Sequence, residues 1–151
     1  MRVLSIILVL FVSFPAFATP STGVGVTLGS PNGVTGRTWL TEEKSLDYGG
    51  GWSLFDSSKF EIYSDYLWNR SDTFEINNEK FDLFFGGGLA LRNHSGGGNE
   101  LVLGPRLPVG VSYEFSHPDV EVFALFAVNV GLIPRSDVFV DLHLGVRFYL
   151  F

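Results

Sequence analysis

Three histidines, a few serines and a set of carboxylates and arginines spaced along extended stretches are the residues here whose types could carry chemistry. His94 and His117 fall among turn-forming residues, where an exposed polar side chain is the default. His143 shares its alternation with Asp141 and Arg147, which on a strand puts all three on one face. A histidine beside carboxylates could act as a general base. It would need a nucleophile, however, and position 145 is glycine, while Ser112 and Ser136 have no base at useful spacing. With no cysteine and only isolated histidines there is no metal-ligand cluster. Residues 56–58 and 93–99 lack the spacing of a calcium loop. The glycine triplets at 86–88 and 96–98 precede no helix, so they do not form a phosphate loop. No catalytic residue, metal or cofactor is expected, and the chain reads as a non-enzyme.

The elements that carry these side chains alternate with period two. In 101–115 the odd positions are almost all apolar, and in 138–150 the even ones are. In 120–132 the even face is unbroken (Val120, Val122, Ala124, Phe126, Val128, Val130, Leu132). Phe81, Leu83, Phe85, Leu89 and Leu91 oppose Asp82, Gly86, Gly88 and Arg92; Phe60, Ile62, Tyr66 and Trp68 oppose Glu61, Asp65 and Asn69. Leu46, Tyr48, Trp52 and Leu54 oppose Asp47, Gly49, Gly51 and Ser53, and Val24, Val26 and Leu28 oppose glycines and Thr27. The stretch 34–40 is the weakest, because Trp39 falls on the parity of Arg37; a bulge near Gly36 would switch the faces. Turn residues at 30–33, 41–44, 56–58, 77–78, 93–99, 116–119 and 134–137 separate the runs. Eight runs with short connections predict an all-β, antiparallel up-and-down barrel in one domain.

Parity then sorts the charges. Arg37, Asp47, Glu61, Asp65, Asp82, Arg92, Arg106, Glu114, Glu121, Asp141, His143 and Arg147 all fall on the polar face, which predicts a salt-bridged lumen. Buried charges must be paired, and Glu114, Glu121 and Arg147 are expected to form one cluster. An ion path is the alternative, but an eight-stranded interior is about wide enough to be filled by its own side chains.

Which face meets water decides the compartment. A secreted lipocalin-like barrel would turn its apolar face inward and display Lys and Glu outside. Here the polar face is Gly, Ser and scattered Asp, Glu and Arg, with the lysines (Lys44, Lys59, Lys80) at turns or strand ends. A crowded lumen favours glycine for space and arginine for fixed multivalent pairing. The other face is continuous Val, Leu and Phe, as contact with lipid requires. In lipid only helices and closed barrels satisfy their backbone, and eight strands make the smallest transmembrane barrel. Trp39, Trp52, Trp68, Tyr48, Tyr66 and Tyr113 suit interfacial girdles. Pro105 and Pro108 predict that only 107–115 crosses the lipid and that 101–106 projects outside. The formal net charge of −6 argues against nucleic acid.

Residues 1–18 read as a signal peptide: Arg2, an apolar stretch over 3–14, then Ala16-Phe17-Ala18 before a cleavage between Ala18 and Thr19. The apolar stretch falls short of the roughly 20 residues of a membrane-spanning helix. The barrel would occupy 19–151.

The signal peptide, the eight alternating segments and the ending Gly145-Val-Arg-Phe-Tyr-Leu-Phe151 resemble small OmpA- or OmpX-type outer-membrane barrels. Gly29-Ser-Pro-Asn-Gly33, Asp65-Tyr-Leu-Trp68, Arg106-Leu-Pro-Val-Gly-Val-Ser-Tyr113 and Glu121-Val-Phe123 are similar to an uncharacterised family of such barrels in Gram-negative and spirochaete bacteria. The resemblance implies the bacterial outer membrane, with its lipids as surroundings. It also implies handling by the barrel-assembly machinery through a C-terminal aromatic signal at Phe148 and Phe151. One departure stands out: the apolar alternation through 142–150 is out of register with Phe151.

The function expected is structural or surface-interactive, in a monomer with a plugged lumen. A lipid-modifying or proteolytic barrel enzyme and a secreted ligand-binding barrel are the alternatives.

Overall fold

A computed structural model describes residues 21–53, 59–95, 99–116, 119–133 and 136–150. The expected cleavage at Ala18–Thr19, His117 and Phe151 lie outside these residues. The strands are β1 (Thr22–Ser30), β2 (Asn32–Trp39), β3 (Lys44–Trp52), β4 (Phe60–Ile76), β5 (Glu79–Ser95), β6 (Asn99–Phe115), β7 (Val120–Gly131) and β8 (Asp137–Tyr149). They follow one another around a closed antiparallel barrel, and β1 pairs with β8 from Gly23↔Tyr149 to Ser30↔Leu142. Closure leaves no sheet edge where all eight strands run side by side, so most backbone donors and acceptors there are met within the ring.

Alternation holds on every strand. Apolar side chains such as Leu28, Val34 and Leu142 stand 66%, 65% and 63% exposed on the outer face, whereas Arg37, Arg106 and Arg147 are 0% exposed inside. The barrel is therefore inverted relative to a water-soluble one, which buries its apolar face.

Three expectations need correction. No bulge interrupts β2 near Gly36: its registers with β1 and β3 run unbroken from Gly33 to Thr38. Trp39 therefore keeps the parity of Arg37 and turns into the barrel mouth rather than joining an outer girdle; its Nε1 donates to the Tyr149 hydroxyl at 3.1 Å. Residues 101–106 do not project away from the barrel. They continue β6, with Leu101 and Leu103 on the outer face and Arg106 buried inside. The prolines are accommodated at gaps in the ladder instead. Pairing with β5 skips from Phe85↔Val109 to Gly88↔Arg106, on either side of Pro108, and pairing with β7 shifts between Arg106↔Asn129 and Leu103↔Ile133, around Pro105. A proline, which has no N–H, is tolerated where a rung is already absent. Residues 69–80 form a hairpin around the turn expected at 77–78. Asn77 and Asn78 (φ 52° and 64°) make a two-residue turn that joins Ile76 to Glu79, the left-handed pair that a tight hairpin requires and asparagine tolerates. A bulge between Arg70 and Phe74, with Asp72 at φ 53°, re-aims the tip.

Candidate functional site in the barrel lumen

Inward parity gathers the lumen charges into two clusters. In the first, Arg37 on β2 faces its direct cross-strand partner Asp47 on β3, donating from Nε to Oδ1 at 2.6 Å and from Nη2 to Oδ2 at 2.9 Å. Arg147 on β8 is likewise opposite Glu121 on β7, with Nη1 3.4 Å from both carboxylate oxygens. The two pairs then exchange partners across the lumen. Arg37 Nη1 donates to Glu121 Oε1 at 2.7 Å, and Arg147 Nη2 donates to Asp47 Oδ2 at 2.8 Å. The Tyr149 hydroxyl donates to Glu121 Oε2 at 2.5 Å, while Arg147 also donates to Thr35 Oγ1 from Nη2 at 3.0 Å. Two guanidinium forks and two carboxylates close a formally neutral ring, a geometry that lysine could not supply.

The second cluster lies toward the other end. Arg106 donates to Asp65 Oδ2 at 2.9 Å, to Glu61 Oε1 at 3.0 Å and to Asp141 Oδ2 at 2.5 Å. Arg92 Nη2 bridges Glu61 Oε2 at 2.5 Å and Asp141 Oδ1 at 2.7 Å, and Asn129 Nδ2 supports Asp141 Oδ2 at 2.7 Å. Three carboxylates meet two arginines, so this cluster is formally one negative charge in excess. Asp65 Oδ1 and Arg106 Nη2 are buried and have no hydrogen-bond partner among the described residues.

Each arginine also lies over an aromatic ring: Arg147 over Phe123 at 3.8 Å, Arg37 over Phe84 at 4.7 Å, Arg106 over Tyr63 at 4.4 Å and Arg92 over Phe139 at 3.4 Å. The weakly hydrated guanidinium face tolerates this packing while its edge serves the carboxylates. His143 ties the two clusters together through these rings. It stacks on Tyr63 at 6.1 Å and meets Phe123 edge-on at 6.0 Å.

His143 is buried, and its Nδ1 lies 3.3 Å from the backbone carbonyl of Ser30, with no serine hydroxyl bonded to the ring among the described residues. Its surroundings are those of a packed core side chain, not of a base beside a nucleophile. Glu114 and Asp82 depart from the expected network. Glu114 is directly opposite Glu121, yet it is exposed at the mouth, and among the described residues no cation pairs with it. Asp82, half-buried at the same end, accepts the Asp72 N–H at 2.8 Å. Both have inward parity, but they sit beyond the last arginine of the lumen network. Phe148 is on the exposed outer face.

Sequence reading missed Thr35, Asn129, Tyr149 and the rings Tyr63, Phe84 and Phe123 as members of the lumen network. The signal that could have found them was the same parity: Tyr63 lies between Glu61 and Asp65, and Phe84 between Asp82 and Gly86.

The chain is similar in structure to the crystal structure of the N-terminal β-barrel domain of Pseudomonas aeruginosa OprF. The TM-score is 0.62 at 17% sequence identity, over 87% of this chain and 98% of that one. The fold is that of a small OmpA-like barrel. No protein-family model matches the chain, and no curated protein matches it significantly. At this identity the likeness is one of fold, so what an OmpA-like barrel with this lumen does must be argued from its own side chains.

Proposed function

We propose that this protein is an integral outer-membrane β-barrel with a structural or surface-interaction role, and that its lumen is a sealed, salt-bridged core rather than a channel. The observation that carries the reading is the inversion of polarity. The charges of the wall, Arg37, Asp47, Asp65, Arg106, Glu121, Asp141 and Arg147, are buried inside, and apolar side chains that would cost free energy in water cover the outside. About 25 cal/mol is lost per Å² of apolar surface left in water, so a wall of this composition is stable only against lipid. A secreted ligand-binding barrel would need the reverse arrangement, with an open apolar interior. In this reading the surrounding partners are outer-membrane lipids, with the barrel-assembly machinery acting during insertion, and the folded state is a monomer that carries out no reaction. The short connections on both ends favour a role in the envelope itself over recognition by long loops.

Cell fractionation combined with gel mobility before and after boiling tests the reading. The expected result is recovery in the outer-membrane fraction with a heat-dependent mobility, because a closed barrel resists detergent at room temperature. Recovery in the soluble periplasm, with a single mobility at both temperatures, overturns it.

A further inference from the structure

The barrel wall is uneven in height. β1, β2 and β3 have 9, 8 and 9 residues, whereas β4, β5 and β6 have 17 each. Whereas β6 is flush with β7 at Phe115↔Val120 and has its excess at the opposite end, the β4–β5 hairpin projects at the end that carries Trp39 and Tyr149. There β3 stops pairing with β4 at Lys44↔Trp68, while β4 and β5 continue together past Phe74↔Phe81 to Ile76↔Glu79. Along one side of this projecting hairpin runs a chain of rings. Phe74 stacks on Phe81 at 5.5 Å, Phe81 meets Tyr113 at 5.4 Å, and Tyr113 meets Phe115 edge-on at 4.7 Å. Phe81, Leu83 and Phe85 share the outward parity of β5, so the chain continues the apolar outer face, where Phe85 stacks on Trp68 at 6.4 Å. Ile76 prolongs it toward the tip, where it is exposed. The opposite side of the hairpin is polar, with Glu75 directly across from Lys80. The Tyr113 hydroxyl donates to Glu79, giving the apolar stripe a polar border.

We propose that the outer side of the β4–β5 hairpin, with Phe74, Ile76, Phe81, Tyr113 and Phe115, is a bilayer-docking surface. It lies in the phospholipid headgroup layer and seats the barrel with its projecting β4–β5 side tilted toward the membrane. The inference rests on the membrane reading above and adds a specific contact to it. Aromatic rings with one polar tip are stable at the boundary between chains and headgroups. A barrel whose apolar height differs around its circumference matches a bilayer of uniform thickness by tilting or by deforming it. Lipid is favoured over a protein partner because the stripe is continuous with the lipid-facing wall and the polar side of the same hairpin faces away from it.

The chain has no cysteine, so single-cysteine variants of the full-length protein can carry an environment-sensitive NBD probe. Ile76→Cys reports the stripe, Glu75→Cys the polar side of the same hairpin, and Leu144→Cys the centre of the barrel wall. Each variant is reconstituted in phosphatidylcholine/phosphatidylglycerol vesicles containing either headgroup-labelled or chain-labelled quencher lipids. The expected result is headgroup-lipid quenching at position 76 at least twofold stronger than at 75, with iodide quenching in the reverse order and chain-lipid quenching at 144. If position 76 is as open to iodide as 75 while 144 stays lipid-quenched, the docking surface is overturned and the membrane reading stands. Protection at 76 that grows with protein-to-lipid ratio assigns the stripe to a second copy and also overturns the proposal. Loss of lipid quenching at 144 brings down the membrane reading and, with it, the docking surface.

Discussion

Arg147 Nη2 lies 2.8 Å from Asp47 Oδ2, although β8 and β3 are separated by two strands of the wall. Its neighbour across the β7–β8 ladder, Glu121, is farther away at 3.4 Å. The arginine therefore works across the lumen as much as along the sheet. Together with the reciprocal Arg37–Glu121 contact at 2.7 Å, it ties β2 and β3 to β7 and β8 through the interior, over the uncharged inward face of β1.

Arg147→Leu leaves Asp47 and Glu121 sharing a single buried cation. Urea unfolding of the detergent-refolded protein should show a loss of about 3–5 kcal/mol, the range for breaking a buried pair. Adding Glu121→Gln should restore much of it, because Arg37 and Asp47 then remain as a matched bidentate pair. Glu114→Gln should change stability by no more than about 0.5 kcal/mol, as expected of an exposed side chain outside the network. An Arg147→Leu variant that unfolds at the wild-type midpoint would show that the ring contributes nothing to stability.

The second cluster makes a contrast between two of its carboxylates. Asp141 accepts from both Arg92 and Arg106, whereas Asp65 accepts from Arg106 alone and is the formal excess charge. Asp141→Asn should cost about 3 kcal/mol or more. Asp65→Asn, which brings the cluster to formal neutrality, should stay within about 1 kcal/mol of wild type. Equal losses in the two unfolding curves would refute the assignment of Asp65 as the surplus carboxylate.

Packing around the rings is tested at Gly145. A Cβ added there would run into the Phe123 ring, over which Arg147 also packs. Gly145→Val should destabilise by about 1–3 kcal/mol through overpacking. The companion change Phe123→Leu should relieve part of the crowding. A double variant no more stable than Gly145→Val alone would place the strain elsewhere.

The two-residue period made the strands and the inward set of charges legible, because face is a local property of an extended chain. Depth was not legible. Glu114 has the parity of Arg106 but sits at the mouth, since parity says nothing about height along a tilted strand. The Arg147–Asp47 contact depends on the stagger accumulated over several strands, which no single segment encodes. Trp39 was misplaced for a different reason. Its residue type suggested a membrane girdle, but its parity with Arg37 was the better guide. At Pro105 and Pro108 the cost of a missing donor was read correctly, while the gaps that absorb it required the neighbouring registers.

The central claim is that four arginines and their carboxylates fill the lumen of a membrane-spanning barrel and seal it. Single-channel recording of the purified, heat-modifiable protein in a planar lipid bilayer tests this most directly. The structure predicts a baseline without steady openings over the normal voltage range, since Arg37, Arg106 and Arg147 span the lumen with no exposure to solvent. A stable conductance on the nanosiemens scale would contradict the sealed core.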